Sequence, residues 1–272
     1  MDQGMTNTHW DPVHYGLFGD ERRRPAKDLI ARLPKPADGF VPRHIVDLGC
    51  GPGSITALLD QAYRTPENPN VRIVGIDSSS EMLETASTRG ENIEWQQADI
   101  AQWEPDEPID ILFSNAALQW VPEHAKLFPR LTRFLRPGGL LAIQVPNNFL
   151  APSHQLIGEA GIEWRDAVAE ATQQIRIMRP GDYFDVLSPD CDAIDLWQTQ
   201  YCHVLHGEDP VFDWTSSTAL RPVLAALPDD NARAAFCEKY KTRLKQVYPP
   251  REDGITLFPF NRLFMIARKR DA

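Results

Sequence analysis

Short apolar runs alternate with helix-like segments between residues 44 and 146. The apolar runs are rich in Ile, Val and Leu, which is typical of strands that are buried on both faces of a parallel sheet. The pattern therefore predicts a parallel sheet with crossover helices. The predicted strands are 44–49, 71–77, 92–99, 109–118 and 139–146. The segment after the fourth strand reads as a helix that begins after Pro122 and ends at 137–139, a Pro-Gly-Gly run.

Outside this core the pattern becomes more helical. Residues 21–34 read as an amphipathic helix, and two further strand-like runs occur at 193–205 and 262–270. About 55 residues separate these two runs, which is too long for a hairpin turn. We expect the two runs to pair antiparallel at the sheet edge, with a helical insertion between them. The predicted divisions are an N-terminal helical cap at 1–43, an α/β core at 44–205, the insertion at 206–260 and the last core strand at 261–272.

Composition and charge exclude several classes of partner. The chain has 272 residues and a formal net charge of -10, so it lacks the basic surface that nucleic acids or anionic membranes require. The four cysteines show no spacing typical of a metal or redox site, and we expect no metal. No apolar run is long enough to span a bilayer, and the polar start does not resemble a signal peptide, which favours a cytoplasmic protein. The oligomeric state stays open.

The stretch HIVDLGCGPGSI, residues 44–55, joins a strand to a helix through glycines at 49, 51 and 53. Glycines at such a turn let the backbone approach a ligand closely. A dinucleotide-binding turn would carry its third glycine at position 54, where this chain has Ser54. Asp47 would repel a pyrophosphate but attract a cationic ligand. The turn therefore favours a nucleoside without phosphates and disfavours a nicotinamide-dependent dehydrogenase.

Acidic residues close three successive predicted strands. Asp47, Asp77 and Asp99 lie at strand ends that meet at one edge of a parallel sheet. We expect the Asp77 carboxylate to accept hydrogen bonds from ribose hydroxyls. The Asp99 carboxylate suits an exocyclic amine, and Ile100 suits packing on a base. The three acids together predict a nucleoside site.

These motifs resemble those of the class I S-adenosylmethionine-dependent methyltransferases. The resemblance rests on VDLGCGPG, GID, the Asp99–Ile100 pair, LFSNAALQW and LRPGG, which span about 100 residues. It implies a Rossmann-like α/β fold with a seven-stranded sheet, flanking helices and a helical insertion between the last two strands. It also implies S-adenosylmethionine as cofactor, with Asn115 and Ala116 beside the sulfonium. The cofactor-binding residues that it implies are Asp47, Gly49, Gly51, Gly53, Asp77, Ser78, Met82, Asp99, Ile100, Asn115 and Ala116.

Segments outside the cofactor motifs look like a narrower family, the trans-aconitate methyltransferases. They include WDPVHYGLFGDERRRP near the start, ALRPVL at 219–224 and PFNRLFMIARK near the end. This resemblance implies a small polycarboxylate as methyl acceptor and formation of a monomethyl ester. Arginine's planar fork suits carboxylates, and the matching positions make Arg22, Arg24, Arg221 and Arg262 the candidate acceptor-binding residues. The loop at 64–70 is longer than expected for this family, and the linker at 165–190 matches it weakly.

A carboxylate acceptor needs no catalytic base, because it is already ionised at pH 7 and can attack a methyl group directly. Catalysis would then depend on positioning and on the exclusion of water. Trp120, Trp10 and Tyr15 are the aromatic residues that we expect to form an apolar lid. Two other functions stay open from the sequence: methylation of another small molecule such as a secondary metabolite, and binding of S-adenosylmethionine without methyl transfer.

Overall fold

One seven-stranded sheet runs through the described residues, which are 19–89, 92–173 and 177–271 of a computed structural model. The strand order is β3-β2-β1-β4-β5-β7-β6. The strands are β1 (His44–Leu48), β2 (Arg72–Asp77), β3 (Glu94–Gln97), β4 (Ile109–Asn115), β5 (Leu135–Pro146), β6 (Cys191–Leu205) and β7 (Thr256–Lys269). The predicted seven-stranded α/β fold is confirmed.

The first five strands run parallel, and β7 runs antiparallel to β5. The central strand β1 is buried from end to end, whereas β3 at the sheet edge is polar and largely exposed. The chain order reverses beside β1, which has β2 on one side and β4 on the other. In an open α/β sheet a ligand binds at the carboxyl ends of the strands where the order reverses. The two late strands, β7 and β6, are neighbours, with β6 at the edge.

The helices connect and flank the strands. Several begin at a recognisable cap: the Ser79 hydroxyl accepts from the backbone N–H of Met82 at 3.2 Å, and Asp229 accepts from the N–H of Ala232 at 2.8 Å. Among the described helices, none is both long and apolar enough to cross a membrane. The helices are α1 (Gly19–Arg32), α2 (Ser54–Tyr63), α3 (Ser80–Ser87), α4 (His124–Phe134), α5 (Pro152–Ala160), α6 (Arg165–Gln173), α7 (Pro180–Leu187), α8 (Pro210–Ser216), α9 (Leu220–Ala226) and α10 (Asp230–Val247).

The described chain forms two compact units. The first, here called the sheet unit, comprises 19–147, 177–199 and 261–271, and its core includes Leu112, Phe128 and Leu141. The second, the helical unit, comprises 148–173 and 200–260. Its core is aromatic and includes Trp214, Phe236, Tyr240 and Phe258. The Tyr240 hydroxyl donates to the carbonyl of Ser153 at 2.7 Å and so ties α10 to the start of α5. The domain divisions predicted from the sequence stay a prediction.

The predicted end of the helix after Pro122 is wrong by three residues. The helix α4 ends at Phe134, and β5 begins at Leu135, so the Pro-Gly-Gly run lies inside a strand. Leu135 pairs with Ile109, and the register then shifts before Ile111 pairs with Leu140. Gly139 fits this irregularity because a Cβ there would lie 2.9 Å from the carbonyl oxygens of Arg136 and Ile109. A bulge forms only against a partner strand, so the local sequence does not show that the Pro-Gly-Gly run continues a strand.

Candidate functional site

The turn after β1 is held to the end of β2 by backbone and side-chain hydrogen bonds. The N–H groups of Gly49 and Cys50 both donate to the carbonyl of Ile76, at 2.8 and 2.9 Å. The Asp77 carboxylate accepts from the N–H of Gly51 at 2.9 Å and from that of Ser79 at 3.0 Å. Burial raises the pKa of Asp77, and these backbone donors lower it. Asp77 therefore fixes the turn and presents its remaining lone pairs at the carboxyl edge of the sheet.

The three glycines of the turn serve different purposes. All have positive φ, at 74° for Gly49, 53° for Gly51 and 77° for Gly53. A Cβ at Gly49 would lie 2.1 Å from Cβ of Ala117, and one at Gly53 would lie 2.6 Å from the Trp95 ring. A Cβ at Gly51 would meet no described atom within 4 Å. Gly49 and Gly53 are thus required by neighbouring side chains, whereas Gly51 borders open space.

Asp47 lies under this turn with a hydroxyl partner. Its residue is 1% exposed, and the Thr56 hydroxyl donates to its carboxylate at 2.6 Å. Burial raises the pKa of Asp47 to about 7, the Thr56 hydrogen bond opposes this, and the Asp77 charge adds to it. A carboxylate in this setting favours a cation beside it. The sequence analysis did not identify Thr56. Its place in the first turn of α2, directly after the glycine turn, is the signal that could have identified it.

The segment after β3 forms one tight turn that α4 holds in place. Asp99 accepts from the N–H of Ala101 at 2.9 Å through its carboxylate, and its carbonyl accepts from the N–H of Trp103 at 2.8 Å. The Arg130 guanidinium of α4 donates to the carbonyls of Ile100, at 3.3 Å, Ala101, at 2.5 Å, and Trp103. We name this segment, residues 99–103, the Asp99 turn. No local signal marks Arg130 for this role, because its partners lie 27–30 residues earlier.

The loop after β4 carries an unusual backbone conformation. Ala116 has φ +55°, its N–H donates to the carbonyl of Gln144 at 2.9 Å, and its carbonyl accepts from the side chain of Gln119 at 2.6 Å. The 3-10 turn Leu118–Trp120 follows. A strained non-glycine residue at a strand end is a feature of functional sites.

A buried histidine fixes the same loop. One ring nitrogen of His124, Nε2, lies 2.9 Å from the carbonyl of Leu118, which only an N–H can use, so Nε2 carries the proton. The other, Nδ1, then accepts from the Tyr183 hydroxyl at 2.5 Å. Burial lowers the pKa of His124, which keeps the ring neutral. The pair holds the Leu118–Trp120 turn against α4 and α7.

The structure places the predicted cofactor residues around these turns in the sheet unit. Met82 is buried in α3, and Ser78 is exposed just after β2, where its carbonyl accepts from Gln97 at 3.1 Å. Trp120 is partly buried at the end of its 3-10 turn. Trp10 and Tyr15, the other lid candidates, lie outside the described residues.

The predicted acceptor residues occupy three places. Arg262 on β7 is 4% exposed and pairs with Pro146 of β5. Arg22 is 8% exposed on the buried side of α1, whereas Arg24 is exposed on the other side of that helix. Two residues correspond to about 200° around a helix, so one local cluster cannot contain both. Arg221 lies in α9 of the helical unit.

One group of possible metal ligands lies away from this edge of the sheet. Among the described residues, His44, Asp106 and Glu107 place ligand atoms within 4.8 Å of one another. The Arg72 guanidinium already donates to both of these carboxylates, each at 2.9 Å, and also binds Glu94 at 2.8 Å. An arginine thus supplies the positive charge that the acidic groups require.

The geometry can be set beside known proteins. A methyltransferase domain family matches residues 45–139. A protein of Azoarcus sp. (strain BH72) named trans-aconitate 2-methyltransferase is 44% identical over 258 residues, which are 95% of this chain and 98% of that protein. A protein of the same name from Streptomyces coelicolor is 45% identical over 271 residues, which are 96% of this chain and 86% of that protein.

Solved structures share the fold at much lower identity. Phosphoethanolamine N-methyltransferase 2 from Haemonchus contortus, solved in complex with S-adenosyl-L-methionine, matches with a TM-score of 0.57 and 17% identity. The match covers 95% of this chain and 56% of that one. At this identity the likeness concerns the fold alone.

Proposed function

Since this chain belongs to the family of trans-aconitate 2-methyltransferases, we propose that it methylates a carboxylate of trans-aconitate, with S-adenosylmethionine as methyl donor. The product is a monomethyl ester. The family, the reaction class and the cofactor agree with the sequence-based predictions. The observation that carries the proposal is that the likeness extends over 95% of the chain, far beyond the methyltransferase domain at 45–139. The segments outside that domain are the ones available to select an acceptor. The cytoplasmic setting is part of the same proposal.

The residues at the carboxyl edge fit this cofactor. Gly51 leaves room for close approach, the buried Asp47 suits a cationic amino acid end, and the partly buried Asp77 suits ribose hydroxyls. Asp99 and Ile100 of the Asp99 turn suit the adenine. When bound, the cofactor supplies an electrophilic methyl group on a sulfonium. Asn115, at the end of β4, and Ala116, at the start of the hydrogen-bonded loop that follows, border that group.

The chain's own contribution is to position the acid and to exclude water. A carboxylate oxygen of the acid attacks the methyl carbon, the carbon–sulfur bond breaks, and its electron pair stays on sulfur. No proton has to be removed, because the carboxylate is ionised at pH 7. The reacting atoms must be held about 3–3.5 Å apart and in line. Opposite charges are neutralised in this step, so Trp120, with Trp10 and Tyr15, would favour it by excluding water.

The remaining carboxylates of the acid require cations. Arg262 and Arg22 are buried arginines of the sheet unit, and the planar guanidinium can bind a carboxylate through two parallel hydrogen bonds. Arg24 lies on the opposite side of α1 from Arg22 and is left out of this cluster, and Arg221 stays a candidate from the sequence alone. If Arg262 binds the acid, Arg262→Lys should raise KM for the acid strongly, because lysine loses the bidentate geometry.

The direct test uses methyl-labelled S-adenosylmethionine with trans-aconitate, cis-aconitate, isocitrate and citrate. We expect base-labile label on trans-aconitate in preference to the others. Asp77→Ala should weaken cofactor binding, and Arg221→Ala should raise KM for the acid at unchanged cofactor affinity. Binding of S-adenosylmethionine without label on any of the four acids would contradict the proposed acceptor.

A further inference from the structure

A row of polar side chains crosses four strands at the carboxyl edge of the sheet unit. Asp47 pairs with Phe113 of β4, and Asn115 lies two residues further on the same face. Asn115 pairs with Gln144 of β5, which places Gln144 on that face as well. In β7, Phe264 faces Gln144 and Arg262 faces Pro146, so Arg262 is the diagonal neighbour of Gln144. The row therefore reads Asp47, Asn115, Gln144, Arg262.

Adjacent strands lie about 4.8 Å apart, so Gln144 stands one strand from Asn115 and one strand from Arg262. Asn115 is the residue that the proposed function places beside the sulfonium, and Arg262 is a proposed anchor of the acid. Gln144 thus lies between the proposed anchor of the acid and the residue proposed to border the methyl group. Diagonal cross-strand neighbours are within reach of long side chains.

The Gln144 side chain is buried and has no partner among the described residues. Its residue is 0% exposed, and neither the amide oxygen nor the amide nitrogen makes a hydrogen bond. Residues on the opposite face of the same strand, Leu141, Ile143 and Val145, are all apolar. A leucine at 144 would avoid the desolvation cost of an unpaired amide, so the folded state alone gives no reason for a glutamine here.

We propose that Gln144 is a further acceptor-binding residue, whose Nε2 donates a hydrogen bond to a carboxylate of the acid that Arg262 holds. The inference rests on the proposed function for the identity of the acid. The amide ends a side chain with rotatable bonds two residues before the end of β5, so it can turn toward the carboxyl edge. This rotation breaks no hydrogen bond within the protein, so the free energy of the new hydrogen bond contributes fully to ligand binding. A neutral donor also selects carboxylates without adding to the charge that Arg262 provides.

The test compares Gln144→Leu and Gln144→Glu with wild type. Thr132→Val is the matched control, because Thr132 is a 1% exposed polar residue whose hydroxyl bonds only to Phe128 of its own helix in the described contacts. For each protein we would measure the dissociation constant of S-adenosylhomocysteine, that of trans-aconitate in the presence of S-adenosylhomocysteine, initial rates and Tm. Leucine removes the donor, and glutamate adds a charge that repels the acid.

We expect Gln144→Leu to weaken acid binding about 10-fold or more, as for a lost hydrogen bond to a charged group. Its affinity for S-adenosylhomocysteine should stay within twofold of wild type, and its Tm should equal or exceed that of wild type. Gln144→Glu should bind the acid more weakly than the leucine variant, and Thr132→Val should bind it normally. A raised Tm with lost acid affinity is a combination that a purely structural role does not produce.

Failure of the inference and failure of the proposed function give different results. Normal acid binding and turnover in Gln144→Leu would overturn the inference and leave the function standing, and so would an equal loss of cofactor affinity. A wild-type protein that binds the acid without methylating it would overturn the function, while a Gln144 effect on that binding would still support the inference. If wild type neither binds nor methylates the acid, both are wrong.

Discussion

At Asp47, burial and a neighbouring hydroxyl shift the pKa of the carboxyl group in opposite directions. Burial raises its pKa to about 7 and the Thr56 hydroxyl, at 2.6 Å, lowers it, so the carboxyl is partly protonated in the free protein near neutral pH. The folded pKa lies above the ordinary value of 3.8 for an aspartate, so the stability that Asp47 contributes is present below about pH 4 and is lost as pH rises through about 7. A cationic ligand reverses the preference, because it favours the ionised form.

We therefore expect S-adenosylmethionine to release a proton when it binds below pH 7. Its affinity should rise as pH increases from 5.5 to about 7.5 and then level off. Calorimetry at pH 6 in two buffers of different ionisation enthalpy measures the released proton directly. Asp47→Asn should bind the cofactor more weakly and show no such release. An unchanged proton count in Asp47→Asn would assign the titration to another group.

Two glycines of the same turn give a matched pair of substitutions. Gly49→Ala places a Cβ 2.1 Å from Ala117, which forces the turn or the loop after β4 to move. We expect it to lower the free energy of unfolding by about 3 kcal/mol and to abolish cofactor binding. Gly51→Ala meets no described atom within 4 Å, so only its positive φ costs stability, about 1–2 kcal/mol.

The ligand distinguishes the second glycine from an ordinary loop position. Because the open space beside Gly51 is where we place the cofactor, Gly51→Ala should weaken S-adenosylhomocysteine binding at least about 10-fold while the protein stays folded. Urea unfolding and calorimetry on both variants provide the comparison. Normal binding in Gly51→Ala would place the cofactor elsewhere.

Among the elements, α4 has a second task besides covering the sheet. Its Arg130 donates to three carbonyls of the Asp99 turn and lies over the Phe134 ring at 5.3 Å. Arg130→Met should loosen that turn, so KM for S-adenosylmethionine should rise several-fold while KM for the acid stays constant. Arg133→Met, on the exposed side of α4, is the control.

The nucleobase provides a readout that a general loss of stability would not affect. Wild type should prefer S-adenosylhomocysteine over S-inosylhomocysteine, because the latter lacks the amine that suits Asp99. Arg130→Met should reduce this preference, since its Asp99 turn is no longer fixed. A preference equal to that of wild type would show that Arg130 does not position the turn.

The alternation of strands and helices predicted β1, β2 and β4 well, because each of these strands is a mainly apolar run bounded by turn residues. It did not predict α7, an eight-residue helix that begins at Pro180 and ends at Leu187. Nor did it predict the start of β5 at Leu135, which depends on a bulge against β4. These features depend on contacts with residues far away in the chain, and local propensity does not encode such contacts.

The same division holds within the candidate site. Asp47 and Asp77 could be identified from sequence because acids at strand ends meet at one edge. Arg130 and Gln144 could not, since an arginine in a helix and a glutamine in an apolar strand have many ordinary explanations. Arg130 stands out because it donates to carbonyls far away in the chain. Gln144 stands out because of its strand register and because its buried amide has no hydrogen-bond partner among the described residues.

At the scale of the whole molecule, the predicted cofactor residues all belong to one of the two compact units. The predicted cofactor residues all fall within 19–147, in the sheet unit, whereas Arg221 falls in the helical unit. The helical unit has its own aromatic core and its own polar ties, such as Lys239 to Glu163 at 2.6 Å and Arg243 to Glu159 at 2.6 Å. Each unit therefore has internal interactions that can keep it folded without the cofactor.

This arrangement predicts where S-adenosylhomocysteine slows amide hydrogen exchange. A ligand slows exchange most where it suppresses local opening. We expect protection at 47–54, 77–82, 99–103 and 115–120 in the sheet unit, and little change in α10, whose Phe236 and Tyr240 are fully buried without any ligand. Asp77→Ala, which should bind the cofactor weakly, is the control and should lose the protection at the same ligand concentration. Equal protection of α10 and the glycine turn would mean that the cofactor stabilises both units together, and the assignment of its contacts to the sheet unit would then be wrong.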